Sequence, residues 1–110
     1  MILVIVMVTV WIPHNKAQKA GEVFIEASKK YPGDRSLSKE LLNNAICATK
    51  EGYKAVSADE IKEGKLVEFL AQLNKLLLYI TERIDGYKYE IEIYSTIFEA
   101  MDVIGLKPPQ

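Results

Sequence analysis

At 110 residues the chain is the size of one domain, large enough to bury roughly two-thirds of the surface it exposes when unfolded. It is 49% hydrophobic and 26% charged with a formal net charge of −1, which leaves no basic footprint for a nucleic-acid backbone and no acidic tail. Its single cysteine, Cys47, excludes an internal disulfide and points to a reducing compartment, so a cytoplasmic location is expected.

The first stretch, Met1 to Ile12, is apolar at every position except Thr9 and is closed by Pro13. A membrane helix needs about 20 apolar residues, and a signal peptide opens on a positive segment; this run has neither. Its valines and isoleucines favour a strand, and no membrane role is expected. Even positions (Ile2, Val4, Val6, Val8, Val10, Ile12) and odd ones (Leu3, Ile5, Met7, Thr9, Trp11) are both apolar. A strand with one wet face would alternate, so both faces of this one must be covered.

Pro13-His14-Asn15 then reads as a connection and helix start, with Asn15 the better N-cap. Ala17, Ala20, Val23, Phe24, Ala27 and Tyr31 recur at helical spacing, and Pro32-Gly33-Asp34 ends that helix. Ser38 to Leu42 can open a helical turn, whereas Asn43 to Thr49 reads as a strand. Lys50-Glu51-Gly52 is a tight turn that returns Tyr53 to Ile61 as its hairpin partner. After Lys62-Glu63-Gly64, a second helix carries Leu66, Phe69, Leu70, Leu73, Leu77, Ile80 and Ile84 on its inward stripe and stops at Asp85-Gly86. Tyr87 to Tyr94 alternates as a strand, with Tyr89, Ile91 and Ile93 facing the core. Thr96-Ile97-Phe98-Glu99 is a capping box that opens a short last helix through Ile104.

The order strand, helix, strand, strand, helix, strand is the split βαβ pattern of a ferredoxin-like α+β domain. One domain over residues 1–106 is expected, with residues 107–110 a tail. Two right-handed crossovers put both long helices on one face of a four-stranded antiparallel sheet. The apolar first strand, in the middle, would leave a bare patch on the other face. A second copy is the simplest cover, so a homodimer through the sheet faces is expected. The last helix should pack on the sheet or on the neighbouring subunit.

The element order and the doubly apolar first strand resemble the dimeric α+β barrel superfamily. Three local stretches resemble an uncharacterised group of small barrel proteins of that type from archaea and marine samples. They are Ile12-Pro13-His14 with Lys29-Lys30-Tyr31-Pro32, Thr49-Lys50-Glu51-Gly52, and Glu99-Ala100 through Ile104-Gly105-Leu106. The resemblance implies the fold and the dimer. The superfamily spans cofactor-free monooxygenases, haem-degrading enzymes, isomerases and ligand domains, and it implies no particular functional residue here.

The inventory of reactive side chains is thin. One histidine and one cysteine do not make a structural zinc site within a chain, and neither a metal nor another cofactor is expected. No nucleophile elbow and no phosphate-cradling glycine loop is present in the sequence. Polar residues placed on strands are Asn43 and Asn44, Ser57 and Asp59 on one face, and Glu90 and Glu92 on one face. These line a space between two sheets, where carboxylate pKa values would rise, or else mark a solvated edge. His14, between the central strand and a helix start, is the one candidate for proton chemistry.

Two functions fit. One is a non-catalytic binding or assembly module. The other is a small-molecule binder or cofactor-free enzyme, taking a small apolar ligand between sheet and helices at Trp11, Phe24, Phe69, Leu73 and Tyr89, with His14 at the mouth. A filled core would favour the module, and a void of several hundred Å³ the pocket.

Overall fold

The computed structural model describes residues 4–107. The first three residues of the apolar run and the tail residues 108–110 lie outside the described residues. The apolar run forms β1, Val4–Ile12, in the interior of a four-stranded sheet. The other strands are β2, Ser38–Thr49, β3, Gly52–Ile61, and β4, Lys88–Ser95, in the spatial order β2-β3-β1-β4. Every neighbouring pair is antiparallel, with Val4 opposite Ile61 and Ser95, and Trp11 opposite Lys54 and Lys88. This is the ferredoxin-like arrangement expected from the element order.

The two faces of β1 have different covers. Val6, Val8 and Val10 are buried under the helices, whereas Trp11 on the odd face is 38% exposed. Helix α1, Ala17–Lys30, contributes Ala20, Val23 and Ala27 to the core. Helix α2, Leu66–Thr81, contributes Leu77, Tyr79 and Ile80, and Ile84 follows beyond its end. Tyr79 ties the two helices together: its hydroxyl donates to the Glu26 carboxylate, and the Arg83 guanidinium lies 3.5 Å over its ring. Neither His14 nor Asn15 caps α1. The chain enters it through a single 3-10 turn, His14–Lys16, closed by Lys16 N–H on the Pro13 carbonyl at 3.0 Å.

Ser38 to Leu42 belongs to β2 rather than to a helical turn. Lys, Glu and Leu favour a helix only weakly, and the backbone bonds offered by β3 outweigh that preference. The pairing is irregular: register shifts fall between Glu40 and Leu42 and between Leu42 and Ala45, and Asn44 has φ 47°. From Lys39 to Thr49 the strand is exposed.

Two turns close onto the end of β1. At the tip of the β2–β3 hairpin, Gly52 has φ 146°, and a Cβ there would run into the Ile12 carbonyl oxygen, 3.2 Å from its carbon. Gly86, φ 84°, ends the segment after α2, and a Cβ there would lie 2.8 Å from Pro13 Cγ. Only glycine fits both the backbone angle and the approach.

Thr96 caps as expected: its hydroxyl accepts the Glu99 N–H at 3.2 Å and opens helix α3, Ile97–Val103. The helix does not sink onto this chain's own sheet. It buries no residue, and Ile97, Val103 and Ile104 are 69%, 86% and 71% exposed.

Candidate functional site

A cleft of about 600 Å³ opens between α1, α2 and the β3–β2 half of the sheet. Alternation on β3 builds its floor. Tyr53, Ala55, Ser57 and Asp59 all point to the helix side, because the register sets them opposite Ile12, Val10, Val8 and Val6. Val8, Val10 and Ala55 form the apolar base; Phe24 of α1 and Phe69, Leu73 and Leu76 of α2 form the wall. From Tyr53 to Asp59 the floor runs roughly 20 Å at about 3.3 Å per residue.

The two ends differ in chemistry. At the first, Tyr53 and Tyr87 both line the cleft; burial, with some help from Tyr89, pushes the Tyr87 hydroxyl up to about 12, so it stays a neutral donor and acceptor. At the second, Asp59 faces Glu40 directly across the β2–β3 pair. Burial raises the Asp59 carboxyl above the ordinary carboxylate range. The Ser38 hydroxyl, donating to Oδ2 at 2.8 Å, pulls the other way, and Glu40 adds to the rise. Asp34, on the same rim, is already accommodated. It accepts from the Ser36 hydroxyl and N–H at 2.5 and 2.9 Å, and these bonds, with Lys62 and Lys65 nearby, hold its carboxyl below the usual range.

Of the residues expected to form a pocket, Phe24, Phe69 and Leu73 lie along this cleft. Trp11 does not: it is on the odd face of β1, opposite Lys54 and Lys88, on the far side of the sheet from the helices. Tyr89 faces the helices across from Val10 and packs at the core edge, outside the cleft lining. His14 is exposed and stands edge-on to the Tyr53 ring, 5.4 Å between centroids, so it backs a cleft residue without lining the cleft. Ser57 and Asp59 share a face, but that face meets the helices and not a second sheet. Glu90 and Glu92 look the other way, on the odd-face side opposite Thr9 and Met7, and Tyr94 donates to Glu92 at 2.5 Å. Ser38 and Glu40 escape a reading that makes their segment a helical turn; as strand residues their alternation with Asp59 is the signal.

The open face of the sheet carries Ile5, Met7, Thr9 and Trp11 in its middle row. Val56 and Ala58 of β3 flank it, and Lys54, Glu60, Lys88, Glu90 and Glu92 rim it with both signs of charge. Among the described residues, no group of His, Cys, Asp and Glu has a metal-binding arrangement, and no helix is long and apolar enough to cross a membrane.

No family model and no curated protein matches the chain. Solved structures do. A dimeric ferredoxin-like protein from an uncultured marine organism is 16% identical over 88% of this chain and 97% of its own, with a TM-score of 0.55. A conserved protein from Methanosarcina mazei Go1 is 14% identical over 86% of this chain and 92% of its own, with a TM-score of 0.54. The de novo designed protein Foldit4 is 9% identical over 86% of this chain and 98% of its own, with a TM-score of 0.58. At such identities the likeness is one of fold, and the fold of this chain is ferredoxin-like α+β.

Proposed function

We propose that the chain is a homodimeric module that binds a small, largely apolar molecule in the cleft between sheet and helices. The observation that carries this reading is the cleft itself. At about 600 Å³, with aromatic and aliphatic walls and a few polar groups at its ends, it has the size and lining of a small-molecule site. Between the two functions that fit the sequence, the void favours the ligand binder. Binding is preferred to turnover because the polar groups on the lining are three carboxylates, of Asp34, Glu40 and Asp59, with hydroxyls and side-chain amides, while His14 stands behind the Tyr53 ring. A cofactor-free acid–base enzyme is the second reading, favoured by Asp59, whose raised carboxyl borders the cleft.

The dimer rests on the apolar middle row of the open face and on α3, whose exposed side chains find no partner within this chain among the described residues. A marine protein of the same fold is dimeric. A thermal-shift screen with small aromatic compounds tests the binding. Hits should raise the midpoint of the parent and lose their effect in Gly21→Phe, because Gly21 lines the cleft and nothing lies within 4 Å of a Cβ built on it. Hits that act equally on both proteins would place binding elsewhere. Light scattering that finds a stable monomer at micromolar concentration would remove the dimer.

A further inference from the structure

The cleft is asymmetric in charge. Asp59 and Glu40 stand opposite each other on neighbouring strands, both on the helix side and both on the cleft lining. Like charges in directly opposed positions of an antiparallel pair repel. Among the described residues, neither carboxylate has a lysine or arginine at salt-bridge distance; the ion pairs formed are Lys65–Glu68 and Arg83–Glu82. Asp34 on the same rim differs, with Lys62 and Lys65 acting on it. Strands β2 and β3 also bring Ser38, Ser57, Asn43 and Asn44 to the lining, all able to accept a hydrogen bond.

Resting on the binding function proposed above, we infer that the cleft takes an organic cation: a primary amine or similar head seated between Asp59 and Glu40, with an apolar body along Phe24, Phe69 and Leu73. An ammonium group supplies three donors and one positive charge, which matches two facing carboxylates and their hydroxyl neighbours. The apolar body extends toward Tyr53 and Tyr87, covering surface that the helices leave open. An anionic head would meet two negative charges, and a neutral one would leave their repulsion unrelieved.

Three probes that differ only in the head group test this: 4-phenylbutylamine, 4-phenylbutanol and 4-phenylbutanoate. They are titrated into the full chain by calorimetry and thermal shift. The amine should bind at least tenfold more tightly than the alcohol, and the acid should bind more weakly still. In the double variant Asp59→Asn with Glu40→Gln, amine and alcohol should converge, while Gly21→Phe should abolish binding of all three. If all three bind the parent alike and Gly21→Phe removes them, the cleft is a ligand site but the cation preference is wrong. A preference for the acid or the alcohol overturns the inference in the same way. If none binds, or binding survives Gly21→Phe, the binding function and the inference fall together.

Discussion

Replacing Gly52 with alanine should be among the most costly single-methyl additions in this protein. The residue has φ 146°, a conformation open essentially to glycine, and strain there costs about 1–3 kcal/mol for another residue. The new Cβ also meets backbone, the carbonyl of Ile12, rather than the end of a yielding side chain. Relieving the clash means moving the hairpin tip away from β1. That loosens the Ile12–Tyr53 pairing and the bond from the Thr49 hydroxyl to the Gly52 carbonyl, at roughly 1 kcal/mol per hydrogen bond. The sum is about 3–5 kcal/mol, against a total stability on the order of 5–15 kcal/mol for a domain of this kind. Urea unfolding followed by the fluorescence of Trp11, the single tryptophan, reads this directly, because Trp11 adjoins Ile12. Protein concentration is held fixed, since a dimer's midpoint depends on it. Gly33→Ala is the control: no atom lies within 4 Å of its Cβ and its φ is not in the glycine region, so a change within about 0.5 kcal/mol is expected. A Gly52→Ala midpoint equivalent to less than about 1 kcal/mol would refute the reasoning, because strain alone should exceed it.

Adjacent charges on β1 should separate folding from association. Val6→Asp, at a position 1% exposed beneath the helices, should cost several kcal/mol and abolish the native circular dichroism, whereas Met7→Asp on the open face should keep that spectrum and shift the scattering mass to the monomer. Asp59→Asn should raise the melting temperature at neutral pH. The raised carboxyl binds its proton more tightly in the folded state, so the parent loses stability as pH climbs from the ordinary carboxylate value through the folded one. The advantage of the variant should vanish in acid below both values, and a constant difference across the whole range would contradict the assignment. Thr96→Ala removes the cap of α3 and should cost about 1 kcal/mol of helix stability. If α3 docks on the second copy, the dimer dissociation constant measured by analytical ultracentrifugation should rise about fivefold for each of the two helices.

The architecture was legible because it rests on periodicity and punctuation. The stripe of α2, the alternation of β4 and the N-cap at Thr96 each appear where the pattern puts them, although Ile93, expected in the core beside Tyr89 and Ile91, is 52% exposed. The β1 sequence also led to the expectation that both of its faces are covered, and the structure covers the even one with helices. It could not show which face meets the helices, since valines at even positions and Ile5, Met7 and Trp11 at odd ones are both acceptable core; hence Trp11 lies on the far side of the sheet from the cleft. The Ser38–Leu42 segment was opaque for a different reason. Its local preference is helical, and only the partner strand, distant in sequence, overrides it. With that segment misread, the pairing of Glu40 with Asp59 and the charged end of the cleft were hidden, although the shared face of Ser57 and Asp59 was visible.

The irregular β2 limits how this chain can grow. It is the outer strand on one side of the sheet and is exposed over most of its length, the situation that invites another strand to add. Two register shifts and the left-handed Asn44 break the even spacing of outward N–H and C=O groups that an incoming strand would need. Open-ended edge-to-edge growth, which leads to fibres, needs both outer strands, β4 and β2, and is hindered at β2. In the dimer proposed above, contact through the open face stops when one copy has met another. Surplus protein in a crowded cell would accumulate as finite particles, and heating would have to straighten β2 before insoluble cross-strand material could form.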